Sequence, residues 1–132
     1  VFETCAGNLF AVIEIFGTDE TDNGVYEAYY NGKTSCQPKG DPAAEYVQGE
    51  DCLYLNIWAP ADGRKNMPVY VWYFGGGLQV GNTTEMEFDG ERIARRGVVV
   101  VTVGYRLNCF GFLCHPEITA QQPDAPANFG FL

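Results

Sequence analysis

Three consecutive glycines after an apolar segment are the feature of this sequence best suited to chemistry. Residues 69–74 are aliphatic or aromatic throughout and lead directly into Gly75, Gly76 and Gly77. Glycine lets the backbone turn sharply and bring its N–H groups close to a bound atom. Such N–H groups can form an oxyanion hole, which stabilises negative charge on a carbonyl oxygen during acyl transfer. The alternative is a tight turn between a strand and a loop, which is the commoner role of glycine clusters.

Other residue types that could complete a hydrolytic site are scarce. Ser35 is the only serine, and it lacks the Gly-x-Ser-x-Gly surroundings of a nucleophile elbow. His115 is the only histidine, and we interpret it as a loop residue without a chemical role. We therefore expect the nucleophile, acid and base of a serine hydrolase to be absent from these residues.

Neither the cysteines nor the acidic residues form a pattern typical of a metal site. No two cysteines form the Cys-x-x-Cys pair common in structural zinc sites. The acidic stretch at residues 19–24 begins like a calcium loop but has Tyr30 where the bidentate glutamate belongs. The stretch at residues 85–90 has Arg96 at that place. We interpret the first as a solvated turn and the second as an acidic helix start, and we predict no metal and no cofactor.

The composition is typical of a folded protein from an oxidising compartment. Hydrophobic residues make up 46% of the 132 positions, and eight Lys and Arg against 17 Asp and Glu give a net charge of −9. Such an acidic chain cannot easily build the basic face that nucleic acid requires, and no apolar run is long enough to span a membrane. Five cysteines and the glycosylation sequence that begins at Asn82 favour secretion.

The spacing of apolar residues predicts an α/β sheet. Alternation at residues 53–58 predicts a half-buried strand, while residues 69–74 and 98–103 are apolar on both faces and predict buried strands. The last of these is typical of a central parallel strand covered by helices on each side. Residues 89–96 predict a helix with Asp89 at its start. Strand, glycine loop, helix and strand together form a βαβ unit.

The first 50 residues carry weaker signals. Residues 10–16 and 25–30 are possible strands. Residues 37–51 contain two prolines and predict a surface loop between Cys36 and Cys52.

A series of motifs from residue 48 onward matches one protein family in the family's own order. The motifs are Glu50-Asp51-Cys52-Leu53-Tyr54-Leu55-Asn56-Ile57-Trp58-Ala59-Pro60, Met67-Pro68-Val69-Tyr70-Val71-Trp72, the glycine triplet, Tyr105-Arg106-Leu107, Phe110-Gly111-Phe112-Leu113 and Asn128-Phe129-Gly130. In these segments the sequence resembles the type-B carboxylesterases, which include cholinesterases, fungal lipases and neuroligins. The resemblance implies the N-terminal part of an α/β-hydrolase domain, incomplete in this chain, with residues 1–47 divergent and residues 48–132 family-like.

The resemblance also implies roles for individual residues. Gly76 and Gly77 match the two glycines whose N–H groups form the family's oxyanion hole. Cys36 and Cys52 match its first disulfide. Arg106 matches an arginine that forms a structural ion pair with an aspartate, and that aspartate would lie just beyond the last residue of the sequence.

Two functions remain open for the complete protein. The first is a secreted esterase that hydrolyses carboxylic esters through an acyl-enzyme, with serine, acid and histidine supplied by the remaining part of the domain. The second is a non-catalytic binding, adhesion or structural protein that kept the scaffold. The glycine triplet favours the first, whereas the absence of the family's N-terminal motifs favours the second.

The predicted strands need more polypeptide than this sequence contains. Burying residues 69–74 and 98–103 on both faces requires two helical layers, and the sequence predicts one clear helix, residues 89–96. We therefore expect a largely hydrophobic interface with another chain or segment that completes the sheet beside residues 98–103. An acid on that segment should pair with Arg106.

The disulfide is open to a direct test. In protein recovered under oxidising conditions, Cys36 and Cys52 should be joined, because the matching family members join them and closing a loop of about 15 residues stabilises a fold by about 3 kcal/mol. Non-reducing peptide mapping checks the pairing, with a reduced digest as the control. Recovery of either cysteine as a free thiol would contradict it.

Overall fold

The computed structural model describes residues 8–14, 30–39, 46–124 and 127–131. The elements within these ranges, in chain order, are strands and helices β1 (Asn8–Glu14), β2 (Tyr54–Pro60), β3 (Val69–Tyr73), α1 (Glu91–Ala94), β4 (Val99–Val103), α2 (Asn108–Phe112) and α3 (Pro116–Gln121). A short 3-10 helix, Met86–Phe88, precedes α1.

The four strands form one mixed sheet in the order β1-β2-β4-β3. Strand β2 runs antiparallel to both β1 and β4. Strand β3 runs parallel to β4, with Tyr73 opposite Val103. The βαβ unit predicted from the sequence is therefore confirmed, and so is the interior position of β4.

Helix α1 begins one residue later than a cap at Asp89 would place it, because its N-cap is Gly90, which makes no side-chain cap hydrogen bond. The Asp89 carboxylate accepts a hydrogen bond from the Glu91 N–H at 2.8 Å. The carboxylate of Glu91 also pairs with the Arg95 guanidinium one turn later. Gly97 has a φ of +93°, the left-handed conformation that ends helices. The regular helix is shorter than the predicted span of residues 89–96, because Arg95 and Arg96 already lie in the closing turn.

The strand register gives the sheet two unlike faces. On one face Trp58 of β2 and Val100 of β4 are buried together with Ala94 of α1. Because α1 packs on this face, the buried residues of β2 are Asn56 and Trp58. The aliphatic residues Leu55 and Ile57 lie on the opposite face. The opposite face carries apolar side chains that are half-buried or exposed, namely Leu55, Ile57, Val69, Val71, Tyr73, Val99, Val101 and Val103.

One expectation about the sheet is untested and one is wrong. Val69, Val71 and Tyr73 of β3 are 61%, 49% and 52% exposed within this chain, so the cover expected from another segment stays a prediction. The sheet was expected to be completed beside residues 98–103, yet β4 already has β2 and β3 as neighbours. Among the described residues, the edge strands of the sheet are therefore β1 and β3. Apolar character on both faces indicated a strand that needs cover, but it did not indicate which neighbour was missing.

The N-terminal predictions have mixed outcomes. The first predicted strand is confirmed, although β1 begins at Asn8 rather than residue 10. The second, at residues 25–30, and the acidic turn at residues 19–24 lie outside the described residues except for Tyr30. None of the described helices combines the length and the hydrophobicity needed to cross a membrane.

The open edge and apolar face of the sheet predict how residues 1–132 behave when expressed alone. They should self-associate and lack a sharp unfolding transition, because uncovered apolar surface costs about 25 cal/mol per Å² and a free strand edge pairs readily. Light scattering and thermal denaturation measure both properties. Val71→Lys, which places a charge on the exposed edge strand, should reduce association, whereas Gln121→Lys on α3 should not. A monomer that unfolds sharply would contradict this prediction.

Candidate functional site

The glycine triplet forms an exposed turn at the end of β3. Gly76 and Gly77 have φ values of +130° and +64°. The Gly76 carbonyl accepts hydrogen bonds from the N–H groups of Gln79 and Val80, at 3.2 and 3.3 Å. A Cβ atom at Gly76 would overlap the Val80 carbonyl oxygen, whereas a Cβ atom at Gly75 or Gly77 would meet nothing within 4 Å. The turn therefore requires glycine at position 76 for steric reasons.

The N–H groups of Gly76 and Gly77 are available for a ligand. Among the described residues, neither group donates a hydrogen bond, and both glycines are exposed. Backbone N–H groups without an internal partner are the donors from which an oxyanion hole is built.

The start of the glycine loop is fixed by Tyr105, which follows β4. Its hydroxyl donates a hydrogen bond of 2.7 Å to the Phe74 carbonyl, the last one before the triplet. The two rings also stack, with centroids 4.5 Å apart. Burial raises the pKa of Tyr105, which keeps the phenol protonated and therefore able to donate.

The middle of the loop is fixed by Asn108 at the start of α2. The Asn108 N–H donates to the Leu78 carbonyl at 2.7 Å. Its side-chain Nδ2 donates to the Cys36 carbonyl at 2.8 Å. Asn108 therefore connects the glycine loop to the cysteine segment, which lies 72 residues earlier in the chain.

The end of the loop is fixed by Gln37. Its Nε2 donates to the Gly81 carbonyl at 2.8 Å, and its Oε1 accepts from the Gly81 N–H at 2.7 Å. Gly81 has a φ of +120°, and a Cβ atom there would lie 2.6 Å from the Phe74 ring. The glycine loop, residues 75–81, is thus held at its start and end by the side chains of Tyr105 and Gln37, and at its middle by the backbone N–H of Asn108.

Cys36 and Cys52 are both free thiols in the structure, so the disulfide between them stays a prediction. Burial raises the pKa of the Cys52 thiol, although the positive charge of Arg106 and a hydrogen bond with Ser35 act in the opposite direction. Cys36 is close enough to raise the pKa of Cys52 as well. Reduced Cys52 is therefore a poorly reactive thiol.

Ser35 has a structural position that excludes it as a nucleophile in this fold. It is 3% exposed, and its Oγ accepts a hydrogen bond from the Leu107 N–H at 2.9 Å. Arg106, the neighbour of Leu107, is half-buried and has no carboxylate within 4.0 Å among the residues that the structure describes. Its expected ion pair therefore stays a prediction.

The remaining sequence candidates have local structural roles. Asn82 is 7% exposed, and its Oδ1 accepts hydrogen bonds from the N–H and hydroxyl of Thr84, at 2.8 and 2.6 Å. Asn82 therefore orders its own turn, and its glycosylation stays a prediction. His115 is exposed and caps α3, where its Nδ1 accepts from the Glu117 N–H at 3.3 Å.

The acidic residues before α1 also have backbone partners. A Glu85 carboxylate oxygen accepts from the Asn82 N–H at 3.1 Å, and Asp89 accepts from Glu91. Across residues 8–14, 30–39, 46–124 and 127–131, no group of three or more His, Cys, Asp or Glu side chains is arranged to hold a metal ion.

The sequence indicates the glycines but not the three residues that hold their loop. Tyr105 belongs to one of the family-like motifs, whereas Gln37 and Asn108 belong to none of them. Each acts on backbone groups distant in sequence, so neither periodicity nor local spacing could reveal the contacts. The one available signal for Gln37 was its position next to Cys36.

The unequal space around the glycines predicts different effects of the same substitution. In the complete protein, Gly76→Ala should lower the free energy of unfolding by about 2 kcal/mol or more, because it combines steric overlap with an unfavourable φ. Gly75→Ala should be neutral or stabilising by up to about 1 kcal/mol. Urea unfolding measures both changes. Equal effects of the two substitutions would show that the described loop conformation is wrong.

Comparisons with known proteins show which proteins this chain resembles. A model of the carboxylesterase family matches residues 19–132. Acetylcholinesterase 4 of Caenorhabditis briggsae is 40% identical over 120 residues, which are 90% of this chain and 19% of that protein. Para-nitrobenzyl esterase of Bacillus subtilis strain 168 is 51% identical over 94 residues, which are 67% of this chain and 19% of that protein.

A solved PNB esterase structure has the same fold over nearly the whole chain. The TM-score is 0.76 at 28% identity, and the match covers 98% of this chain and 30% of that one. The expectation of a partial α/β-hydrolase sheet is therefore confirmed. The chain spans less than a fifth of the length of the two curated relatives, and it is the N-terminal portion of an α/β-hydrolase domain that belongs to the carboxylesterase family.

Proposed function

We propose that the complete protein hydrolyses carboxylic esters and that this chain supplies the oxyanion hole. The observation that carries the proposal is the pair of exposed N–H groups at Gly76 and Gly77, which have no partner among the described residues. They lie at the carboxyl end of a parallel strand, where α/β folds commonly bind ligands. The relatives named as an acetylcholinesterase and a para-nitrobenzyl esterase support the same reaction class.

The chemistry divides between this chain and the remaining part of the domain. A serine outside residues 1–132 attacks the ester carbonyl while a histidine, oriented by an acid, accepts the hydroxyl proton. Negative charge then develops on the carbonyl oxygen, and the N–H groups of Gly76 and Gly77 stabilise it. The histidine then gives its proton to the leaving oxygen as the tetrahedral intermediate collapses, which releases the alcohol. Water hydrolyses the acyl-enzyme to the carboxylic acid and regenerates the serine. The ester is the substrate, and no cofactor takes part.

The scaffold around the site forms part of the same proposal. The remaining segment pairs along the free edge of β3, covers the apolar face of the sheet and places an acid beside Arg106. A Cys36–Cys52 disulfide closes the segment that carries Gln37, in a protein that is secreted. The five cysteines and the closeness of these two thiols support this part of the proposal.

Ester hydrolysis and reaction with a serine-directed probe distinguish an esterase from a non-catalytic relative. The complete protein should hydrolyse p-nitrophenyl butyrate and become labelled by a fluorophosphonate on one serine outside residues 1–132. Ser35 should remain unlabelled, because it is buried and hydrogen-bonded. Mass spectrometry of the labelled digest locates the serine, and a variant in which that serine is alanine is the control.

The opposite result would also be clear. A folded complete protein that neither hydrolyses the ester nor reacts with the fluorophosphonate would contradict the proposed function and favour a binding or adhesion role. Labelling of Ser35 would contradict the assignment of the nucleophile.

A further inference from the structure

Gln37 contacts the glycine loop through both polar atoms of its side chain. The Nε2 donates to the Gly81 carbonyl at 2.8 Å, and the Oε1 accepts from the Gly81 N–H at 2.7 Å. A carboxamide satisfies a backbone donor and a backbone acceptor of the same residue, much as a neighbouring strand would. The two residues are 44 positions apart, so the contact joins two separate segments of the fold.

Gln37 is itself fixed in place. Its backbone N–H donates to the Oε1 of Gln48 at 3.2 Å, and its Nε2 also lies within 3.3 Å of the Ser35 carbonyl. Its neighbour Cys36 is held through the hydrogen bond from Asn108. A side chain anchored from several directions can hold its partner in one position.

Gly81, which Gln37 holds, lies close to the residues at the start of the loop. A Cβ atom on Gly81 would lie 2.6 Å from the Phe74 ring and 2.8 Å from the Gly75 carbonyl oxygen. The last residue of the loop therefore packs directly on the residues that begin it. Among the described residues, Gln37 is the only side chain that hydrogen-bonds to Gly81, so removing it leaves this end of the loop without a cross-link.

We infer that Gln37 is a positioning residue that holds the N–H groups of Gly76 and Gly77 in the geometry needed for transition-state stabilisation. The inference rests on the proposed function. It assigns no contact between Gln37 and the substrate. Because a displacement of about 1 Å at a reacting centre can lower a rate about a hundredfold, even partial release of the loop should reduce turnover.

The test compares three variants of the complete protein with the wild type. Gln37→Ala removes both hydrogen bonds, whereas Gln37→Glu keeps the size and the acceptor but replaces the donor with a carboxylate oxygen. Gln121→Ala makes the same change as Gln37→Ala on the exposed surface of α3 and is the matched control. Active sites are counted with a fluorophosphonate, so that a loss of folded protein does not appear as a loss of turnover.

The expected result is a change in kcat rather than in substrate binding. Gln37→Ala should lower kcat per titrated site about tenfold or more and leave KM within about twofold, because oxyanion donors act mainly in the transition state. Hydrogen exchange at the Gly81 N–H should be faster than in the wild type. Gln121→Ala should change neither property.

Gln37→Glu adds a test that depends on whether the introduced carboxyl group is protonated. A neutral carboxyl group can again donate to the Gly81 carbonyl, so the ratio of its kcat to the wild-type kcat should rise as the pH falls toward the ordinary glutamate pKa of about 4.3. A general loss of stability would not produce this rise. The variant also keeps the inference testable if Gln37→Ala fails to fold.

Several outcomes would overturn the inference. One is a Gln37→Ala variant whose kcat per site is within twofold of that of an active wild type. A second is unchanged hydrogen exchange at the Gly81 N–H. A third is a ratio of Gln37→Glu kcat to wild-type kcat that does not change with pH. An inactive wild type would instead overturn the proposed function, and with it the kinetic role of Gln37. Hydrogen exchange would still decide whether Gln37 holds the loop.

Discussion

Strands β3 and β4 run parallel with Tyr73 opposite Val103. The loops that follow the two strands therefore begin side by side, at the carboxyl ends of the strands. This register brings Phe74 beside Tyr105, where ring stacking and the hydroxyl-to-carbonyl hydrogen bond fix the start of the glycine loop. A shift of β3 by one residue would turn its side chains to the opposite face and break this contact. The position of Gly76 and Gly77 therefore depends first on the pairing of β3 with β4 and only then on contacts within the loop.

The conformation of the loop depends on steric restriction at its glycines and on hydrogen bonds with residues distant in sequence. Gly76 and Gly81 need positive φ values and have no room for a side chain, so the backbone passes close to itself and to Phe74. Such a turn exposes N–H groups, but without support it would have alternative conformations. Hydrogen bonds from Tyr105, Asn108 and Gln37 restrict these alternatives. The two N–H groups that we propose as oxyanion donors thus lie in a supported loop, and the proposed nucleophile lies elsewhere in the domain.

The sequence predicted those features that depend on local pattern. The βαβ unit and the interior position of β4 follow from hydrophobic periodicity, and both are found. The predicted cap at Asp89 lies one residue before the N-cap of α1, which is Gly90. Burial was harder to predict, because apolar faces on residues 69–74 indicate a strand that needs cover without indicating which polypeptide supplies it. The roles of Gln37 and Asn108 depend on contacts across 44 and 72 positions, and no spacing rule contains that information.

The most direct measurement of the central claim is a crystal structure of the complete protein with a trifluoromethyl ketone bound to its nucleophile. Such a compound places an oxyanion where negative charge develops during ester hydrolysis. The account predicts that this oxygen lies about 2.7–3.1 Å from the backbone nitrogens of both Gly76 and Gly77. An oxyanion held by other donors, with both nitrogens beyond about 3.5 Å, would contradict it.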